Sequence, residues 1–354
     1  MKLYMNLSML GEKPTGLGMY AANTVDIVNQ FETVVVGGVA TVQGAASHLQ
    51  VPADIAIGAG KLAALKRQLW LRKVRLPSSA LAYSPTHHGF PGVQGQVITI
   101  HDLICLRFPA QHYLQFILFK FGMPRLLRNC AAVFTVSEAT RADVAHQYGY
   151  PLERIHVVPN AIDTSALGVG KVNADDPYLL MVGARYQHKN VAEVLEMSEL
   201  WKDRYKLVIT SCSGRYRVAM EHRVREEGLQ GHVVFKDYVS RDELIGLYQG
   251  CSALVYPSKW EGFGIPPLEA LACGRPAIVS DIPAHREVLD TAGIFVSLGD
   301  PGSWRTALAS IEDDATVERL LVAGCERLKV YTKANATAAL RAGLLTVQPQ
   351  LSRR

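Results

Sequence analysis

Short β-branched runs alternate with helical patterns along the whole chain. In its first half these runs are TVVVGG (33–38), QVITIHDL (96–103), AAVFTVSE (131–138) and RIHVVPN (154–160). A polar stretch, VGKVNADDPY (169–178), interrupts the rhythm. It resumes with YLLMVGA (178–184), KLVITS (206–211), HVVFKD (232–237), SALVYPS (252–258), PAIVSD (276–281) and AGIFVS (292–297). Runs that are apolar on both faces suit central strands of parallel sheets, covered by helices above and below. The pattern predicts an α/β protein of two Rossmann-like, doubly wound parallel-sheet domains. The first is expected at 1–170 and the second at 171–335, with 336–354 a C-terminal helix crossing back to the first. A chain of 354 residues agrees, because single cores stop growing at about 250–300 residues.

Ligands of such sheets bind at the carboxyl ends of strands. The runs end in polar or small residues: His101-Asp102, Ser137-Glu138, Pro159-Asn160, Gly183-Ala184-Arg185 and Ser280-Asp281. Two such edges facing one another would form a cleft. One further stretch, EGFGIPPLEALACG (261–274), is not what a packed core requires. Pro266 and Pro267 can open a helix, where a missing N–H costs nothing, and Gly274 can close it. Glu269 is then expected in the first helical turn and Glu261 in the preceding loop. Between them Gly262-Phe263-Gly264 lets backbone amides approach a ligand, and the positive helix terminus adds to the attraction for a polar or anionic group. A carboxylate there can accept hydrogen bonds from sugar hydroxyls. The competing role for Glu269, complementing the helix dipole, leaves Glu261 and the two glycines unexplained.

Composition is that of a soluble globular chain, 49% apolar and 19% charged. Its six cysteines (105, 130, 212, 251, 273, 325) lack CxxC spacing and lie in apolar runs, so they are expected to be buried free thiols in a reducing compartment. The N-terminus reads as no signal peptide, and no uninterrupted apolar run approaches the length of a membrane span. The expected location is the cytoplasm, or the inner face of the cytoplasmic membrane.

Charge changes the picture in one half only. Residues 1–170 carry 14 Lys and Arg against 9 Asp and Glu, whereas 171–354 carry 23 of each. The densest basic stretch, KLAALKRQLWLRKVRL (61–76), sets Lys61, Lys66, Arg67, Arg72, Lys73 and Arg75 among Leu, Ala and Trp. YLQFILFKFGMPRLLRN (113–129) is more apolar and carries Arg125 and Arg128 near its end. Both could lie on an anionic membrane surface; both could equally be helices whose apolar faces pack on their own domain. Nucleic acid is not an expected partner, since aromatics are not interleaved with cations as stacking platforms.

EGFGIPPLE resembles the Glu-x7-Glu signature of retaining glycosyltransferases of family 4, which have the GT-B fold. TGLG (15–18), IHDL, TVSEATRADV, VVPNAID, VGARYQHKN, FKDYVSRDELIGLY and ALACGRPAIVSD match in the expected order. The resemblance implies a nucleotide sugar held by the second domain and a glycan or lipid-linked glycan acceptor held by the first. Glu269 would bind the donor ribose, and Glu261 would face the donor sugar. Gly262, Phe263, Gly264 and Ile265 would offer amides to its hydroxyls and phosphate, Arg185 and Lys189 would clamp the diphosphate, and the main chain at Tyr238-Val239 would meet the base. Gly16 and Gly18 would border the donor phosphate, and His101, with Asp102, would sit near the reacting carbon. Ser137 and Asn160 occupy motif positions on the acceptor side, with loop support as their competing role, and His87 and His88 line that side. The catalytic set is then His101, Asp102, Arg185, Lys189 and Glu261.

Arg185 precedes Lys189 by four residues, where the commoner pattern has five, so a surface salt bridge is the competing role for Arg185. No Asp-x-Asp element suited to a sugar-diphosphate metal occurs, and no metal or cofactor is expected beyond the nucleotide-sugar co-substrate. No carboxylate of the first domain stands out as a general base, Asp102 staying open, which fits retention of configuration. Within the family, QHKN and EGFGIPPLEA look most like bacterial mannosyl- and rhamnosyltransferases of surface polysaccharide or lipopolysaccharide assembly, with GDP-mannose the first choice of donor. UDP-glucose or UDP-GlcNAc donors, a UDP-sugar 2-epimerase and a non-catalytic scaffold subunit are the alternatives.

Overall fold

A computed structural model of the chain describes residues 2–10, 16–37, 42–56, 62–77 and 80–351. Thr15 of the TGLG element and Lys61 of the basic stretch lie outside them. The chain divides into two units, Met1–Ala161 with Lys333–Arg354, and Ile162–Thr332. The divisions thus fall at 161/162 and 332/333, where the sequence pattern draws them at 170/171 and 335/336.

The first unit is built on β1 (Lys2–Asn6), β2 (Glu32–Val36), β3 (Ser47–Leu49), β4 (Leu81–Ser84), β5 (Gln96–Ile100), β6 (Cys130–Thr135) and β7 (Ile155–Val157), in the spatial order β3-β2-β1-β4-β5-β6-β7. The second holds β8 (Tyr178–Met181), β9 (Lys206–Thr210), β10 (Val233–Lys236), β11 (Ala253–Tyr256), β12 (Ala277–Ser280) and β13 (Ile294–Val296), in the order β10-β9-β8-β11-β12-β13. Neighbouring strands run parallel throughout both sheets.

Every residue of β5, β6, β8, β11 and β12 is buried. Helices cover both faces of these strands, so they read in sequence as unbroken apolar runs. Three strands escape that reading, the first being β1, KLYMN, with two of its five residues half-buried. β3 is a three-residue edge strand, SHL, with no apolar run. β4 is central and wholly buried, but it is only LAYS and stops at Pro85. Its Tyr83 hydroxyl is satisfied by Thr99 Oγ1 of β5 at 3.1 Å, which lets a polar tip sit in the core.

In each sheet the chain order reverses once, between β1 and β4 in the first and between β8 and β11 in the second. The crossovers on either side of a reversal leave in opposite directions, opening a crevice at the carboxyl ends of the two strands. The loops after β4, β8 and β11 are therefore placed by topology to line ligand sites.

Five of the six cysteines are buried thiols; Cys325 is exposed, a departure from the expected burial, because it lies on the outer face of the helix Asp314–Val330. Among the described residues no helix is long and apolar enough to cross a membrane.

The terminal helix Lys333–Leu351 belongs to the first unit and buries Leu340, Leu344 and Val347 there. Gly343 allows its close approach: a Cβ at this position would stand 2.8 Å from Phe134 Cζ of β6. An Ala for Gly exchange inside an open helix gains roughly 0.5–1 kcal/mol, as expected for Gly246→Ala, where a Cβ meets nothing within 4 Å. Gly343→Ala is expected to reverse that sign and destabilise by about 1–3 kcal/mol through overpacking. Urea unfolding of the two variants reads the difference directly.

Candidate functional site

The reversal at β8 and β11 brings together two loops far apart in sequence. After β8 the chain turns through Gly183 (φ 69°) and closes a short 3-10 turn, Gln187–Lys189. After β11 it runs through Ser258 and Trp260 to Glu261. The Lys259 amide donates to the His188 carbonyl at 2.8 Å and ties the loops together. Across this tie the Lys189 Nζ donates to Glu261 Oε1 at 2.5 Å and to the Tyr256 hydroxyl at 2.6 Å. All three side chains are largely or wholly buried.

The electrostatics follow from that geometry. Burial alone would raise the Glu261 carboxyl, but the Lys189 ammonium overrides it and holds the group down at about 2. Burial likewise opposes the charge on Lys189, while Glu261 and Tyr256 prevail and keep it above the ordinary lysine range. Tyr256 is pushed above its usual range by burial and then by the Glu261 charge. The pair is therefore ionised across the neutral range. An ammonium has three N–H donors, and Glu261 and Tyr256 engage two of them.

The residue after Lys189 is fixed as firmly. Asn190 adopts φ 61° and donates to Glu193 Oε2 at 2.5 Å. Glu193 Oε1 accepts from the Gly299 amide at 2.8 Å and from Trp304 Nε1 at 3.0 Å, so this buried carboxylate is fully solvated by protein donors. Arg185, by contrast, is exposed, lies 5.6 Å from the Tyr186 ring centroid and makes no ion pair among the described residues. Among the described residues its guanidinium is thus not committed to the surface salt bridge that is its competing role.

The helix carrying the second glutamate spans Ile265–Ala272, one residue earlier than the prolines suggest. Gly264 is its N-cap in the left-handed region (φ 97°), where an L side chain would be strained and where a Cβ would stand 3.2 Å from the His285 ring. Because the helix starts at Ile265, Glu269 lies in the second turn and not the first, too far along to complement the dipole. Both its oxygens are oriented instead. Arg241 Nη1 donates to Oε1 at 2.7 Å, and the buried Tyr248 hydroxyl donates to Oε2 at 2.9 Å. Each carboxylate oxygen retains acceptor capacity for a further donor. Pro266 and Pro267 carry no N–H, so of the first three helical residues only Ile265 keeps an amide. Phe263 turns inward, its ring edge-on to Tyr331 at 5.0 Å, leaving the 262–265 segment to act through its backbone. Tyr238 is exposed and Val239 half-buried; they follow β10 and precede the capping box of Ser240 and Glu243 that fixes the next helix.

In the first unit His101 follows β5 directly. Its Nε2 bonds to the Pro85 carbonyl at 2.9 Å, its ring stands edge-on to Tyr20 at 4.6 Å, and burial lowers it to about 4, so the imidazole is neutral at pH 7. Asp102 Oδ1 accepts from the Ile104 amide at 2.9 Å and opens the short helix Ile104–Arg107. Ser137 caps the helix Glu138–Tyr148, accepting from the Thr140 amide at 3.0 Å, and Asn160 is buried in the loop after β7. Gly16 and Gly18 open the helix Gly16–Asn23 after β1. His87 and His88 follow β4 with their ring centroids 4.0 Å apart and the rings tilted at 36°, and the His88 carbonyl accepts from Asn6 Nδ2 and Ser84 Oγ, each at 2.7 Å.

Sequence reasoning did not single out Tyr256, Arg241, Tyr248, Glu193 or His285. His285 is buried, its Nδ1 bonded to the Ser280 carbonyl at 2.9 Å and its Nε2 without a partner. These residues sit on different elements from the motif glutamates and share no spacing with them, so only Arg241 and Tyr248, inside SRDELIGLY, carried any sequence signal.

Comparison with known proteins agrees with this architecture. A family model described as glycosyl transferases group 1 matches residues 167–326, and one described as glycosyltransferase family 4 matches residues 79–166. The chain is 37% identical over 227 residues to the O-antigen chain mannosyltransferase RfbU of Salmonella typhimurium, covering 64% of each chain. It is 24% identical over 288 residues to O-antigen chain mannosyltransferase B of Escherichia coli, covering 77% of this chain and 75% of that one. The match therefore spans somewhat under two thirds of the length of the Salmonella relative. Solved structures with the same fold include the sucrose-phosphate synthase of Thermosynechococcus elongatus (TM-score 0.72, 17% identity, 99% of both chains) and the Anabaena protein HepE (TM-score 0.73, 15% identity, 98% of this chain and 100% of that one). With two doubly wound sheets of GT-B type and two adjoining family models spanning residues 79–326, the chain belongs to the group-1, family-4 glycosyltransferases.

Proposed function

We propose that the protein is a retaining, metal-independent hexosyltransferase of lipopolysaccharide or related surface polysaccharide assembly. It transfers mannose, with GDP-mannose the first choice of donor, to a growing glycan or lipid-linked glycan at the inner face of the cytoplasmic membrane. The observation that carries this reading is the buried Lys189–Glu261 pair at the β8/β11 reversal, beside a glycine-capped helix whose Glu269 is oriented by Arg241 and Tyr248. The similarity of the chain to O-antigen mannosyltransferases supports the sugar and the setting.

In this reading the donor diphosphate meets the third N–H of Lys189, the Arg185 guanidinium and the Ile265 amide. As the glycosidic bond breaks, charge grows on the departing phosphate. At an effective dielectric of 20, one close cation–oxyanion pair is worth about 4 kcal/mol, and a contact that strengthens as charge develops lowers the barrier. Two such cations can do the work otherwise given to a divalent ion. The departing phosphate oxygen takes the acceptor proton on the same face, so no opposed base is needed. Glu269 receives the ribose hydroxyls, and Glu261, pinned by Lys189, faces the sugar.

A thermal-shift screen tests the donor. GDP-mannose at about 100 times its Kd is expected to add roughly 2.7 kcal/mol of apparent stability, and a larger response to UDP-glucose or UDP-GlcNAc would move the choice to those donors. Glu269→Ala is expected to weaken donor binding about ten- to a hundredfold, the cost of losing hydrogen bonds to a charged group, read by calorimetric titration. Transfer is expected to persist in EDTA with the product anomer matching the donor, both followed by NMR; loss of activity in EDTA and its return with manganese would overturn metal independence.

The ion pair gives a stability prediction with a definite sign. The folded Glu261 pKa lies below its unfolded value, so its contribution is present above about pH 4.5 and is lost as pH falls toward about 2. Lys189→Met strands a buried carboxylate and is expected to cost about 3–5 kcal/mol at pH 7. In that variant the folded Glu261 pKa rises above the unfolded one, so the deficit should shrink as pH is lowered from 7 to 5. Lys189→Met with Glu261→Gln should recover much of the loss at pH 7. Urea unfolding at both pH values checks all three.

A further inference from the structure

A cavity of about 370 Å³ lies within the first unit. It is set between the basic helix Ala63–Leu71 and the apolar helical run 113–128, and its lining includes Arg67, His87, His88, Leu65, Leu118 and Leu126. The apolar run is not a regular α-helix: residues Leu118–Gly122 form a π-helical turn, a feature frequent at functional sites.

Arg67 is only 4% exposed, yet among the described residues no carboxylate pairs with it. Nη1 donates to the Ile55 carbonyl at 2.9 Å and Nη2 to the Met9 sulfur at 3.1 Å, while Nε has no acceptor. A guanidinium stays ionised in proteins, so among the described residues this buried positive charge meets one carbonyl and one weak acceptor. The two histidines do not add to it. Burial lowers His87, and burial followed by the nearby Arg67 charge lowers His88 to about 4. At neutral pH the described lining thus carries one full charge, positive, beside Gln68 and the two uncharged imidazoles and among apolar side chains.

The two segments also expose apolar side chains. Leu65 and Leu69 are exposed on one helix with Leu62 at its N-cap, and Tyr113, Leu114, Ile117, Leu118 and Phe121 on the other segment. Leu65 and Leu118 belong to both the cavity and this exposed set, so the apolar surface runs continuously inward. Lys120 lies 5.2 Å from the Phe116 ring centroid, keeping its cation at the apolar edge. An isolated buried cation is costly unless an anion reaches it, and an apolar surface of this kind is costly unless covered. One ligand chemistry satisfies both: an anionic head on a long apolar chain.

We propose that this cavity binds the phosphate or diphosphate head of a long-chain lipid ester, with Arg67 pairing the head and the chain lying over Leu65 and Leu118. This rests on the proposed lipid-linked acceptor and assigns its lipid end to residues 63–71, 87–88 and 113–126. The head would complete the open Nε–H of Arg67, and the apolar rim would keep the remaining chain in or against the membrane.

Calorimetric titration of the intact protein with farnesyl diphosphate, farnesol and inorganic pyrophosphate tests it, each below its aggregation limit. Farnesyl diphosphate is expected to bind at least tenfold tighter than either of the others. Arg67→Gln should erase the advantage over farnesol, while Arg67→Lys should retain part of it. Leu118→Trp, at a half-exposed position, should weaken both farnesyl compounds and leave pyrophosphate unchanged, and it decides the matter if Arg67→Gln does not fold. Pyrophosphate binding as tightly as farnesyl diphosphate would reveal a free-anion site and overturn the proposal, as would equal affinity in the wild type and Arg67→Gln. Nucleotide-sugar binding, measured on the same variants, should be unchanged. Its absence with farnesyl diphosphate binding intact would sink the transferase reading and not the lipid site.

Discussion

A lysine and a glutamate, 72 residues apart, meet in the interior of the second unit as a buried ion pair. Neither could sit there alone. Removing a charge from water costs several kcal/mol, and the attraction between the two repays that cost only at close range with further hydrogen bonds. Tyr256 supplies one of those, and the tie between Lys259 and His188 holds the loops at the distance the pair requires. The arrangement is expensive for a fold that needs only stability, since apolar residues would fill the same space at lower cost. Its presence at the reversal of strand order, where doubly wound sheets hold their ligands, gives that cost a purpose.

The neighbouring elements share the same logic of orientation. Glu193 is satisfied by Asn190, Trp304 and a backbone amide, so the turn bearing Lys189 cannot drift. Glu269 is held by Arg241 and Tyr248 on a separate helix. Gly264 takes a left-handed conformation because the helix entry passes close against His285. A site assembled this way binds without having to order its own side chains first, and ordering is the main entropic charge on any polar contact.

The first unit distributes its polar groups differently. Asp102 and Ser137 spend their oxygens on opening helices, and His101 is a neutral ring bonded to a carbonyl. Ser137 and His101 offer hydrogen bonds without supplying charge, and the Asp102 carboxylate is engaged by a backbone amide. Among its described residues the buried full charge is Arg67, on a helix whose Leu65 and Leu69 are exposed. Among the described residues one unit thus holds its buried charges as a pair, and the other holds a buried cation with no carboxylate partner.

The central strands were legible from sequence because burial on both faces leaves a continuous apolar run, whatever the neighbours. Glu261, Lys189 and Glu269 were legible because their loops and spacing follow a local pattern. β4 was not, since four residues ending in Ser-Pro give no periodicity, and its place in the core depends on Tyr83 finding Thr99 on another strand. The starting point of the helix at Ile265 was hidden too, because proline tolerance in a first turn does not say which residue begins it. Likewise, the sequence showed Arg67 as one of six cations on an amphipathic stretch, and only packing against Ile55 and Met9 turned it inward. Local composition determines which segments become strands and helices; which charges end buried, and against which partner, is settled by contacts between residues that no spacing connects.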